Sequence, residues 1–90
     1  MPDELWEKNV VEWRCKRGLW ELDLLLQHFF YAKFDALTTK DRESLQWLLV
    51  QHDPYLQRVL VYKQEDKTLK PSVKKIIEQI IDCYTDNLVR

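Results

Sequence analysis

Cys15 is the residue in this chain with the clearest capacity for chemistry, because Arg14, Lys16 and Arg17 surround it. Cationic neighbours lower a thiol's pKa and favour the nucleophilic thiolate. Against this, the same stretch is expected to close a helix, and the negative end of a helix dipole disfavours a thiolate. Cys15 and Cys83 form no CxxC pair and read as free, structural thiols of a reducing compartment. Metal binding needs clustered ligands of compatible type. His28 and His52 stand far apart and belong to no HxxH, HExxH or Cys/His spacing; His28 reads as a core-edge or surface histidine. Glu21 and Asp23 are two apart on an expected helix, so they point to different sides and do not pair for acid/base work. A single glycine leaves no phosphate-cradling loop, and a helical chain offers no nucleophile elbow. The expectation is a protein that is not an enzyme, with no catalytic residue, no metal site and no cofactor of its own.

What remains is a charged corner, Arg17-Gly18-Leu19-Trp20-Glu21-Leu22-Asp23, holding the only glycine. Two accounts of it stand. In the structural one, Arg14, Lys16 and Arg17 meet the negative end of one helix and Glu21 and Asp23 the positive end of the next, while Gly18 terminates the first helix. In the recognition one, Arg17 offers a fork of donors and Glu21 an acceptor. Gly18 lets another backbone approach, and Trp20 beside Arg17 is an interface anchor. The candidate partner-binding residues are therefore Arg17, Gly18 and Glu21, with Arg14, Lys16, Trp20 and Asp23 behind them.

Helical periodicity places this corner. Trp6, Val10 and Trp13 recur as one stripe of a first helix, with Pro2 and Asp3 at its start. Leu22, Leu25, Leu26, Phe29, Phe30 and Phe34 form a second helix apolar enough to be central. Thr38-x-x-Asp41 is a loose capping box for a third, carrying Leu45, Leu48 and Leu49. At His52-Asp53-Pro54 that helix ends, Asp53 caps and Pro54 opens a short fourth with Leu56, Val59 and Leu60. Residues 63–70 read as a polar, solvated linker. Pro71 then opens a fifth helix striped by Val73, Ile76, Ile77, Ile80, Ile81, Tyr84 and Leu88. The expected fold class is all-α, a small five-helix bundle with short connections and antiparallel neighbours.

Ninety residues are expected to form one domain, 1–90, since a second core would not fit. Net charge is −1, which offers no overall drive toward phosphate backbones. A reading helix would line up Lys, Arg, Asn or Gln, but the second helix is too apolar and Asp41 and Glu43 lead the third. Nucleic-acid binding by a small helical module is the least favoured reading. Leu22 to Phe34 is too short and too polar to cross a bilayer, and the acidic start resembles no secretory signal. A cytoplasmic protein without direct membrane insertion is expected.

Arg17-Gly18-x-x-Glu21, set within Cys15-Lys16-Arg17-Gly18-Leu19-Trp20-Glu21-Leu22-Asp23, resembles the signature of the SdhE family, FAD assembly factors of the succinate dehydrogenase flavoprotein. The resemblance covers most of the chain: an aromatic and basic helix precedes the motif, Phe29-Phe30 follows it, and Asp53-Pro54 opens a later helix. Lys16, Leu19 and Val59 stand where the family often has arginine, methionine and tryptophan. The resemblance implies a five-helix bundle that binds the flavoprotein subunit of succinate dehydrogenase, or of fumarate reductase. It further implies promotion of covalent FAD attachment to a histidine of that client, by a chaperone-like factor that is monomeric when free. Arg17, Gly18 and Glu21 take the places of the family's Arg, Gly and Glu. Members are also described as CptB-like antitoxins, so binding to a membrane-associated toxin is the alternative it implies.

Overall fold

The computed structural model describes residues 5–89, and the side chains of residues 5–85. Among these residues five helices follow one another with no strand: α1 (Lys8–Arg14), α2 (Trp20–Lys33), α3 (Thr39–Leu49), α4 (Asp53–Leu56) and α5 (Pro71–Val89). A 3₁₀ turn (Phe34–Ala36) closes α2, and a π-helical turn (Gln57–Val61) extends α4. The chain adopts the all-α, five-helix bundle that its periodicity implies. None of the described helices is long and apolar enough to cross a membrane.

The stripes read from α2 to α5 form one core. Leu22, Leu25, Leu26, Phe29 and Phe30 from α2 meet Leu45, Leu48 and Leu49 from α3. Leu56, Val59 and Leu60 join from α4 and its extension, with Val73, Ile76, Ile77, Ile80 and Cys83 from α5. Each fully buried Leu or Ile among them stabilises by about 1.5–3 kcal/mol relative to exposure. The Cα radius of gyration, 12.3 Å, matches the roughly 12 Å of a compact chain of this length. α2 does not hold the centre alone, because α5 packs against both α2 and α3. Of the α5 stripe, Leu88 lies outside the described side chains.

The first helix departs from its expected stripe. α1 is only two turns long and starts at Lys8, so Trp6 precedes it, and Pro2 and Asp3 lie outside the described residues. Its buried residues are Val11 and, one turn on, Cys15; Trp13 is 69% exposed. A helix this short has one inward face, and Val11 and Cys15 occupy it. Trp6 still packs against the core edge. Its amide donates to Gln46 Oε1 at 2.8 Å, and the Arg14 guanidinium lies 4.9 Å from its ring centroid.

Thr38 caps α3 as expected, its hydroxyl accepting from the Asp41 amide at 3.1 Å. At α4 the expectation fails in one detail. His52 is the N-cap and contributes no side-chain cap, while Asp53 is already helical. Its carboxylate is engaged by a distant arginine instead.

Residues 63–70 are mostly exposed, as a polar linker would be, and are anchored through Asp66. Tyr55 O–H donates to Asp66 Oδ2 at 2.8 Å, and the Thr68 amide and hydroxyl donate to Asp66 Oδ1 at 3.0 and 2.6 Å. The Thr68 donors hold the Asp66 carboxyl below its usual range. Leu69 packs against the core. The chain turns into this segment at Lys63, which adopts a left-handed φ of 59°.

Candidate functional site

The corner between α1 and α2 begins earlier than its charge pattern suggests. α1 ends at Arg14 with Cys15 as C-cap in right-handed geometry, and the Lys16 amide donates to Trp13 O at 3.1 Å. Lys16 and Arg17 therefore lie past the last helical turn, and Gly18 is not the residue that stops α1. Gly18 has a φ of +81°, the left-handed region open to glycine at no steric cost. Its role is to reverse the chain from Arg17 into Leu19, which is extended and N-caps α2.

Arg17 is turned inward. Its side chain is 14% exposed, and its Nε donates to Asp53 Oδ1 at 2.8 Å. Nη1 donates to Leu49 O at 2.8 Å and Arg14 O at 3.2 Å, and Nη2 to Gln51 O at 2.9 Å. Helix ends leave carbonyls without intrahelical partners, and this one guanidinium satisfies carbonyls at the ends of α1 and α3. Arg17 does serve the α1 terminus, as the structural account expects. It is not an exposed, replaceable charge, however, because three segments of the fold depend on its planar fork. Asp23 also faces inward, its Oδ1 accepting the Arg17 amide at 2.6 Å.

The rest of the corner points outward. Trp20 is 75% exposed, and Lys16, Gly18 and Glu21 are exposed with it. A Cβ added at Gly18 would meet nothing within 4 Å. Among the described residues Glu21 makes no hydrogen bond or ion pair. It lines a cavity of about 150 Å³ together with Leu25, Leu60, Ile81, Tyr84 and Lys63. Arg14 is exposed and stacks on Trp6. The sequence candidates thus divide: Gly18, Trp20 and Glu21 offer surface, while Arg17 and Asp23 hold that surface in place.

Beneath the corner Cys15 is buried, and burial pushes its thiol up to about 12 against the opposing pull of Arg17. A thiol so placed is inert as a nucleophile. The residue that sequence reasoning missed is Asp53, assigned there to a helix cap. An acid at a helix start signals a need for a cationic or amide partner, but not that the partner lies 36 positions away.

The corner lies within the part of the chain that known proteins share. A family described as "Flavinator of succinate dehydrogenase" matches residues 9–83. An FAD assembly factor SdhE from Wigglesworthia glossinidia brevipalpis is 38% identical over 73 residues, 81% of this chain and 84% of the relative. A second, from Legionella pneumophila (strain Paris), is 41% identical over 77 residues, 86% of this chain and 94% of the relative. The Coxiella burnetii protein of the same name is 38% identical over 68 residues, 73% of this chain and 83% of the relative. No solved structure matches significantly. A match that spans α1 to most of α5, with relatives that align over nearly their whole length, leaves one conclusion: the chain belongs to the family of succinate dehydrogenase flavinators.

Proposed function

We propose that this protein is an assembly factor that binds the flavoprotein subunit of succinate dehydrogenase and promotes covalent attachment of FAD to it. The observation that carries the proposal is the family match over residues 9–83, which encloses the exposed Gly18–Trp20–Glu21 surface. Trp20 supplies a rigid aromatic anchor, and Glu21 supplies an exposed carboxylate, without a partner among the described residues, beside an apolar hollow. Arg17, Gly18 and Glu21 act together: Arg17 and Asp23 set the corner, Gly18 turns it, and Trp20 and Glu21 meet the client. Arg14 and Lys16 border the same surface.

The chain contributes no catalytic residue and no cofactor of its own. The bond to FAD is made within the client, and this protein acts by binding one client conformation better than others. A ligand shifts an equilibrium only by its differential affinity, so a tenfold enrichment of an attachment-competent conformation requires about 1.4 kcal/mol of preference. One good anchor supplies that much. The same surface would serve the flavoprotein of fumarate reductase, and the protein would act in the cytoplasm as a monomeric single domain.

The test is deletion of the gene, with covalent FAD in the client read by in-gel flavin fluorescence and co-purification of the two proteins. Loss of fluorescence restored by wild type, but poorly by Glu21→Ala or Trp20→Ala, is the expected result. Unchanged flavinylation in the deletion strain would remove the assigned function. Full rescue by both folded variants would remove the corner as the contact site.

A further inference from the structure

We infer that Asp53 is a positioning residue for the client-binding corner, acting through Arg17; the inference rests on the function proposed above. Residues 17–23 are held at two points. At one end the Arg17 amide donates to Asp23 Oδ1 at 2.6 Å, within the first turn of α2. At the other, the Arg17 guanidinium is locked by Asp53 at the start of α4 and by the carbonyls of Leu49 and Gln51 at the end of α3. Gly18, Trp20 and Glu21 occupy the span between these anchors.

The chemistry makes Asp53 the decisive member of the lock. A guanidinium carries five N–H donors in a fixed plane, and four are directed at Asp53, Leu49, Gln51 and Arg14. Three of the four acceptors are neutral carbonyls. Only Asp53 supplies the opposite charge, to an arginine side chain 14% exposed. Without that carboxylate a mostly buried cation keeps only dipoles as partners, and it gains by swinging toward water. The Arg17 backbone, and Gly18 with it, is then free to change course. A fork so fully used has little left to offer a partner protein, so the arginine of the corner works indirectly.

Direct and indirect roles for Arg17 predict opposite outcomes when Asp53 is replaced. If Arg17 positions the corner, Asp53→Ala weakens binding to the purified flavoprotein subunit by about tenfold. Asp53→Asn, whose amide oxygen still accepts from Nε, then loses less. The Arg17→Ala/Asp53→Ala pair binds no worse than Arg17→Ala alone, because both act through one contact. If Arg17 touches the client directly, freeing it by Asp53→Ala leaves affinity unchanged or raises it, and the inference falls.

An independent readout comes from the chain's single glycine. Glycine-specific ¹⁵N labelling yields one amide resonance, that of Gly18, and Asp53→Ala should move it while helical circular dichroism stays at the wild-type level. An unmoved Gly18 resonance in a folded Asp53→Ala protein overturns the positioning role. Should Asp53→Ala unfold, Asp53→Asn carries both measurements, with a smaller shift expected and an unmoved resonance equally damaging. Failure of the wild-type protein to bind the flavoprotein would instead indict the proposed function, since the Gly18 resonance responds to Asp53 whether or not a client exists.

Discussion

Replacing Gly18 separates backbone geometry from recognition more cleanly than any other single change. The residue sits at φ +81°, where an L side chain costs roughly 1–2 kcal/mol. No collision adds to this, because a Cβ built there meets nothing within 4 Å. A stiffer unfolded chain returns part of the cost, so Gly18→Ala should destabilise by about 1 kcal/mol. In a domain of this size that lowers Tm by about 4–8 °C. Because the cost is conformational and not steric, Asn, which tolerates left-handed geometry, should be milder than Ala despite its bulk. A β-branched Val should be the worst. Thermal denaturation of the three variants tests the order. A Val variant as stable as Asn, or an Ala variant within about 1 °C of wild type, would refute the reasoning. The same Asn variant then reports on recognition. Stability near wild type with weakened flavoprotein binding would show that a partner backbone approaches Gly18, whereas full binding would confine the glycine to its turn.

Two further outcomes concern the scaffold. Thr38→Ala removes the hydroxyl that accepts from the Asp41 amide and should cost about 1 kcal/mol, read as a lower urea midpoint with an unchanged m-value. Cys15 governs an alkaline limit. Its thiol rises from an ordinary 9.0 to about 12 in the folded chain, so below pH 9.0 it is protonated in both states and contributes no pH dependence. Between these values the unfolded chain binds fewer protons, and stability falls as pH rises, by up to about 1.4 kcal/mol per pH unit. Tm measured from pH 8 to 11 should therefore decline more steeply in wild type than in Cys15→Ala. Parallel curves would contradict the burial argument.

How far the sequence reaches depends on the range of the interaction. The faces of α2, α3 and α5 were legible because helix burial follows a 3.6-residue period: Leu22, Leu26, Phe29, Leu45, Leu48, Ile76 and Ile80 are all buried. The Thr38 cap was legible for the same reason, as donor and acceptor lie three residues apart. α1 misled because two turns hold too few residues to define a stripe. Trp13 matched the spacing of a core residue and stands in solvent, while Val11 and Cys15 took the inward face. Residues 63–70 read as a polar linker, yet Tyr55 reaches across to bind Asp66.

The corner shows the same division at the level of function. That Arg17, Gly18 and Glu21 form a unit, and that Gly18 is a turn, is written in residue types and short spacings. Which of them turns inward and which stays exposed is not. Arg17 and Glu21 both read as exposed charges at helix ends, but Arg17 is consumed by acceptors 32, 34 and 36 positions later, whereas Glu21 remains outside. A side chain's long-range partners depend on which helix ends the packed core brings together, and that is settled only when α3 and α4 close over the loop. The sequence by itself determined the helices, their buried stripes and the family signature. Tertiary structure alone decided that the arginine of that signature is a clamp on the fold while the glutamate is exposed.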